Sequence, residues 1–336
     1  MRGGEPPATR AWLGVGLALL AVYLVWGSTY LAIRIALEGF PPFLMAGGRF
    51  VVAGALLFVF TKWRGSPAPT PTQWGSSALV GALLLVGGNG GVVFAEQTVA
   101  SGLTALAVAT VALWTALFAG LWGQWPGRLE WVGLAVGFGG IILLNLEGSL
   151  RASPAGAAAL LVATVSWAFG SVWSRRLTLP AGLMAPAAEM LAGGVLLIAI
   201  GWLAGESLPE RPGARAVVAV AYLIVFGSLI GFSAYVFLLT RVRPTVATSY
   251  AYVNPVIAVG LGVAFAGETI TPTEWLAMPV VLAGVVLVIL ARAQANRGGP
   301  RGLPIGGTSG SARPASLAAA GDEDATPGEE HAAGPR

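Results

Sequence analysis

Ten stretches of nearly unbroken apolar sequence, each about 17 to 25 residues long, dominate this chain of 336 residues. A helix of that length crosses the roughly 30 Å of hydrocarbon in a bilayer. In lipid the backbone must satisfy its own hydrogen bonds, so the fold class that follows is an all-α membrane protein. Composition agrees: 56% of the residues are hydrophobic and 10% are charged, against about 25% charged in an ordinary soluble domain.

Bounded by proline, glycine and charge, the spans fall at 13–37, 43–61, 75–95, 101–122, 129–146, 155–174, 182–204, 215–238, 246–266 and 275–291. Residues 1–12 form a short N-terminus. The apolar stretch after them exceeds the 7–15 residues or so of a signal-peptide core, so it reads as an uncleaved first span. With the N-terminus cytoplasmic, the segments on that side hold Arg2, Arg10, Lys62, Arg64, Arg128, Arg175, Arg176, Arg241, Arg243, Arg292, Arg297 and Arg301, and the outer loops hold Arg151, Arg211 and Arg215. The positive-inside rule then predicts that both termini are cytoplasmic. Residues 292–336 turn to Gly, Pro, Ala and Ser with an acidic run at Asp322–Asp324, which predicts a disordered cytoplasmic tail. The single histidine, His331, lies in it.

Several function classes drop out. A formal charge of +4 is scattered in ones and twos, not gathered into a patch, so nucleic acid is not a partner. The chain has no cysteine, and its membrane region has no aspartate and no histidine. Thiolate chemistry, metal sites, cofactors and intramembrane hydrolysis therefore lack their parts. Gly87-Gly88-Asn89-Gly90-Gly91 is followed by no lysine and lies inside an apolar span, so it reads as close helix packing or a hinge, not a phosphate loop. Gly133-x-x-x-Gly137 and Gly227-x-x-x-Gly231 likewise suggest tight helix contacts and leave a homodimer open.

The chain also repeats itself. Trp26-Gly27-Ser28 is echoed by Trp167-Ala168-Phe169-Gly170-Ser171, Arg34 and Arg175 keep the same offset from their tryptophans, and Glu130-Trp131 is echoed by Glu274-Trp275. The spacing, 141 to 144 residues, divides the membrane region into two halves of five spans, 13–146 and 155–291. An odd number of spans per half makes the two five-helix repeats inverted, an arrangement common to alternating-access transporters. A membrane sensor or structural subunit is the alternative, and a membrane enzyme is further removed.

Across residues 13–291 the chain resembles the drug/metabolite transporter superfamily, EamA type, in its YedA-like group. The resemblance is carried by Trp26-Gly27-Ser28-Thr29-Tyr30, Pro41-Pro42, Met45-Ala46-Gly47-Gly48-Arg49-Phe50, Gly88-Asn89-Gly90, Leu129-Glu130-Trp131-Val132-Gly133, Ala247-Thr248-Ser249-Tyr250-Ala251-Tyr252-Val253-Asn254-Pro255 and Gly267-Glu268. It implies ten helices, two EamA repeats and export of small organic metabolites or toxic compounds. Family members commonly carry a proline in span four matching Pro255, whereas this chain reads Thr110-Val111-Ala112-Leu113-Trp114 there.

Pro255 removes an amide from the middle of span nine and predicts a kink with a freed carbonyl, near which Asn254, Tyr250, Tyr252 and, from span four, Trp114 offer donors and aromatic faces. Arg49 and Glu189 are the charges placed deepest in spans, where a charge costs about 2.5 to 3.5 kcal/mol and must find a partner or water. They pair across the halves or face an aqueous cavity, with Arg49 holding an anionic group and Glu189 taking a proton. The candidate substrate-binding set is Trp26, Tyr30, Arg49, Asn89, Trp114, Trp167, Tyr250, Tyr252, Asn254 and Pro255, with Glu189 as the proton-coupling candidate.

Overall fold

The computed structural model describes residues 7–145, 153–266 and part of 272–291, all within one contiguous unit, and among them there are helices and no strands. Residues 1–6, the segments 146–152 and 267–271, and the tail from 292 lie outside the described residues. The helices are α1 (Pro7–Leu37), α2 (Pro42–Trp63), α3 (Pro71–Gly81), α4 (Gly91–Ala95), α5 (Ser101–Val108), α6 (Val111–Leu121), α7 (Arg128–Asn145), α8 (Pro154–Ser174), α9 (Met184–Leu203), α10 (Ala214–Tyr222), α11 (Ser233–Arg241), α12 (Pro244–Ala247) and α13 (Tyr250–Ala266). Two π-helical stretches, Ala82–Gly90 and Leu223–Phe232, join α3 to α4 and α10 to α11.

Seven of the resulting rods are long and apolar enough to cross a membrane: 12–37, 42–63, 71–95, 101–121, 154–174, 184–203 and 214–241. α7 and α13 are shorter, at 18 and 17 residues, and the described residues within 272–291 are helical. Leu20, Leu24, Leu56, Val59, Leu161, Val162, Val195 and Val218 point outward, as side chains facing hydrocarbon do.

Local chemistry sets the ends. Pro42, Pro71 and Pro154 open their helices at the first position, where no amide hydrogen is needed. Thr70 and Gln73 close a reciprocal capping box on α3. Gly65 and Gly205, at φ +84° and +79°, reverse the chain after α2 and α9, where a side chain would be strained. The carboxylate of Glu206, just past α9, accepts hydrogen bonds from the amides of Phe43 (3.1 Å) and Leu44 (2.8 Å) and so caps α2 from the other half of the chain.

The halves meet along equivalent helices. α2 and α9 start 142 residues apart and pack on each other through glycines. A Cβ at Gly47 would lie 2.8 Å from the Gly194 carbonyl oxygen, and one at Gly194 would lie 2.9 Å from the Gly47 carbonyl oxygen. Lipid supplies no hydrophobic force between helices, so close backbone approach takes its place. The Gly133–Gly137 pair plays the same part against the last span, where a Cβ at Gly284 would lie 2.8 Å from the Gly133 carbonyl oxygen.

Two breaks differ from expectation. Span four is interrupted at Ala109–Thr110 with no proline present: Thr110 Oγ1 donates to the Ala107 carbonyl (2.7 Å), and the amides of Thr110, Ala112 and Leu113 reach back three residues instead of four. In span nine the interruption falls at Thr248–Ser249, between α12 and α13, and α13 runs on through Pro255.

Candidate functional site

Each π-helical stretch lets a tryptophan of the other half approach its backbone. Wide turns release carbonyls from the usual i−4 ladder, and released carbonyls at this depth need donors. Trp26 Nε1 donates to the Gly227 carbonyl (3.1 Å), and Ser166 Oγ donates to the Leu83 carbonyl (2.8 Å). A Cβ at Gly231 would meet the Trp26 ring at 2.7 Å, and one at Gly88 would meet the Trp167 ring at 2.5 Å. Glycine is required at both places because an indole occupies the space.

A cavity of about 70 Å³ lies between the two stretches. Leu85, Gly88 and Asn89 line it from the first, and Gly227 and Phe232 from the second; α1 contributes Trp26, Thr29, Tyr30 and Ile33, α2 contributes Arg49 and Phe50, and α8 contributes Ala163, Thr164 and Trp167. Val92, Val108, Val111 and Tyr250 complete it. Trp26 and Trp167, 141 residues apart in the chain, meet edge to face with centroids 5.4 Å apart. Tyr250 stands against Trp26 at 4.8 Å, and Tyr235 packs on both tryptophans behind the wall. The Tyr235 hydroxyl receives the indole N–H of Trp167 (3.0 Å) and bonds Ser171 (2.6 Å), which fixes the ring cluster.

Arg49 is the cavity's charge. Only 4% exposed, it donates from Nη2 to Asn89 Oδ1 (2.9 Å) and rests over the Phe50 ring at 4.4 Å. Its Nε and Nη1 have no hydrogen-bond partner, and among the described residues the one ion pair within 4 Å is Arg215 with Glu38. Arg49 and Glu189 are therefore not paired. Glu189, 1% exposed in α9, does not line the cavity, and its Oε2 lacks a partner.

Of the ten expected binding residues, Trp26, Tyr30, Arg49, Asn89, Trp167 and Tyr250 surround this cavity, and the other four do not line it. Trp114 stacks on Phe118 at 6.5 Å. Tyr252 is buried against α7, where a Cβ on Gly137 would lie 2.8 Å from its ring. Asn254, with its amide turned to satisfy its neighbours, donates to the carbonyls of Tyr23 (3.1 Å) and Tyr250 (3.2 Å) and ties α13 to α1. Pro255 is buried within α13.

Sequence reasoning missed Thr29, although it sits between Trp26 and Tyr30 in a quoted motif, as well as Thr164, Phe232 and Tyr235, which carry no motif, and it missed Glu96. That residue follows α4, is 5% exposed, has neither carboxylate oxygen hydrogen-bonded, and interacts electrostatically with Arg34, Arg49 and Tyr30. Its position at the end of an apolar run hid it; its burial is a tertiary fact.

The profile of the EamA-like transporter family matches the chain twice, over residues 12–146 and 154–290. The chain is 50% identical over 276 residues to the inner membrane transporter YedA of Escherichia coli strain K12, itself described as uncharacterized, over 82% of this chain and 90% of that one. It is 25% identical to the uncharacterized transporter YvbV of Bacillus subtilis strain 168, over 81% of this chain and 88% of the relative. A protein crystal structure that is 22% identical aligns with a TM-score of 0.67 over 84% of this chain and 99% of that one, a likeness of fold alone. With the family's profile present twice and 50% identity to YedA over 276 aligned residues, the chain belongs to the EamA-like transporter family, in the YedA-like group of the drug/metabolite transporter superfamily.

Proposed function

We propose that this membrane transporter is a secondary active exporter of small organic metabolites or drugs, built as ten transmembrane helices in two inverted five-helix repeats and working by alternating access about the central cavity. The observation that carries the reading is that the cavity is walled by equivalent parts of both halves. Trp26 meets Trp167, and the two π-helical stretches, which begin 141 residues apart at Ala82 and Leu223, face each other across it. Rocking one half against the other about such a site opens it to each side in turn. At about 70 Å³ the space holds a few waters, so a metabolite enters only when those walls part.

The chain supplies no phosphate loop, so the energy comes from a gradient. Glu189, buried in α9 with its Oε2 unpartnered, is the candidate proton carrier. The protein sits in the inner membrane, as the name of the Escherichia coli relative says of that transporter, with both termini cytoplasmic by the Lys/Arg bias.

Reporter fusions test this topology. Fusions after residues 64, 128, 176, 243 and 297 should all report the cytoplasm. Periplasmic signal at 243 sinks the ten-span arrangement and with it the inversion of the halves.

A further inference from the structure

The identity of the ligand is written in what the cavity leaves unpaired. A guanidinium presents five N–H donors in a fixed fork and cannot shed its charge. In Arg49 one nitrogen is engaged by Asn89, while Nε and Nη1 are buried and bonded to nothing. A buried polar atom without a partner forfeits its hydration and gains nothing in return, at about 1–3 kcal/mol and more when it is charged. Such groups persist where a ligand completes them.

The rest of the lining offers no substitute. Among the described residues no carboxylate faces the cavity, and Thr29 and Thr164 spend their hydroxyl protons on the carbonyls of Trp26 and Leu161 in their own helices. Glu96 influences Arg49 but lies beyond 4 Å from it, and it is shared with Arg34, the next cation along α1. The lining also holds Trp26, Trp167 and Tyr250, whose faces and edges accept an apolar or aromatic body. The Asn89 amide nitrogen makes no hydrogen bond among the described residues and adds a neutral donor beside the guanidinium.

We infer that the cavity takes organic monoanions: a carboxylate or comparable oxyanion received by Arg49 Nε and Nη1 with help from Asn89, on an apolar or aromatic body held by the Trp26–Trp167–Tyr250 wall. The inference rests on the proposed transport site and names the chemistry of what that site accepts. Among the described residues no acidic group lines the cavity to receive a cation. A carboxamide keeps one acceptor oxygen but turns an N–H donor toward the second Arg49 donor, so it loses one of the two bonds, and a site built on such bonds discriminates steeply.

The test is calorimetric binding to the purified full-length protein in nanodiscs, in phosphate-free buffer. The probes share one ring and differ in the head group: phenylacetate, phenylphosphonate, phenylacetamide and phenethylammonium. One of the two anions is expected to bind at least 10-fold more tightly than the amide and the ammonium, and which anion it is tells carboxylate from phosphonate. The wild-type ranking needs no variant to fold. Arg49→Gln should abolish the anion preference, and Arg49→Lys should keep the order with weaker affinity, each in protein whose thermal melt remains cooperative. A tighter amide or ammonium, or an unchanged preference in folded Arg49→Gln, overturns the anion inference and leaves the transport site standing. Failure of all four probes to bind overturns both.

Discussion

Gly194→Leu, and equally Gly47→Leu, is expected to yield no folded, monodisperse protein, while Gly48→Ala behaves as wild type. The atoms that meet a new Cβ at Gly47 include the Gly194 carbonyl oxygen and the Ile198 amide, both at 2.8 Å; at Gly194 they are the Gly47 carbonyl oxygen and the Val51 amide, both at 2.9 Å. These are backbone atoms of two packed helices and cannot step aside as a side-chain tip can. Overpacking of a well-filled core costs about 1–3 kcal/mol, occasionally more, and here the strain forces apart the α2–α9 contact that joins the halves. Nothing lies within 4 Å of a Cβ at Gly48, one residue along the same helix. Size-exclusion profiles and melting curves of the three variants, compared with Gly194→Ala as an intermediate step, check the result; a monodisperse Gly194→Leu protein with a native melt contradicts it.

Trp26→Ala and Trp167→Ala are each expected to abolish transport, and each by the same physical route. Removing either ring opens the cavity wall, uncouples it from Tyr235 and leaves the glycines of a π-helical stretch facing empty space. Trp26→Ala also strips the Gly227 carbonyl of its donor. Truncating a buried tryptophan costs about 3–5 kcal/mol in soluble cores; the lower part of that range applies to buried Trp167 because lipid adds no hydrophobic force between helices, and half-buried Trp26 costs less. Trp26→Phe keeps one aromatic ring against Trp167 and Tyr250 while losing the rest of the indole and its hydrogen bond to Gly227, so it should retain partial activity. Proteoliposome uptake, run beside melting curves, separates the two effects; full transport by a folded Trp167→Ala protein would remove the indole pair from the mechanism.

Much of this was legible in the chain because lipid is an unforgiving solvent: it demands apolar runs of set length, and proline, glycine and charge mark their ends. The spans expected at 155–174 and 101–122 fall within a residue of the helices at 154–174 and 101–121. α1 starts earlier than expected, at Pro7, because nothing in Ala8-Thr9-Arg10 stops a helix. The interruption at Ala109–Thr110, where amides reach back three residues, was not legible, since no proline or glycine marks it. The π-helical stretches were invisible too, because their register answers to indole rings arriving from the other half. The same holds for Glu206, whose capping of α2 joins residues more than 160 positions apart. At the site the repeat was the reliable signal, since it picked out Trp26 and Trp167. The Asn254-Pro255 motif drew attention to a helix junction, where Asn254 bonds backbone carbonyls behind the cavity.

The central claim, that one cavity between the halves opens alternately to each side, is tested most directly by the accessibility of Thr164. The chain contains no cysteine, so Thr164→Cys introduces the sole thiol without any other change. Thr164 is buried and lines the cavity on α8. In right-side-out and inside-out membrane vesicles, a membrane-impermeant maleimide should label this cysteine from both faces, and a transported ligand should slow labelling from each. Labelling from one face alone under all conditions, or from neither, would contradict alternating access at this cavity.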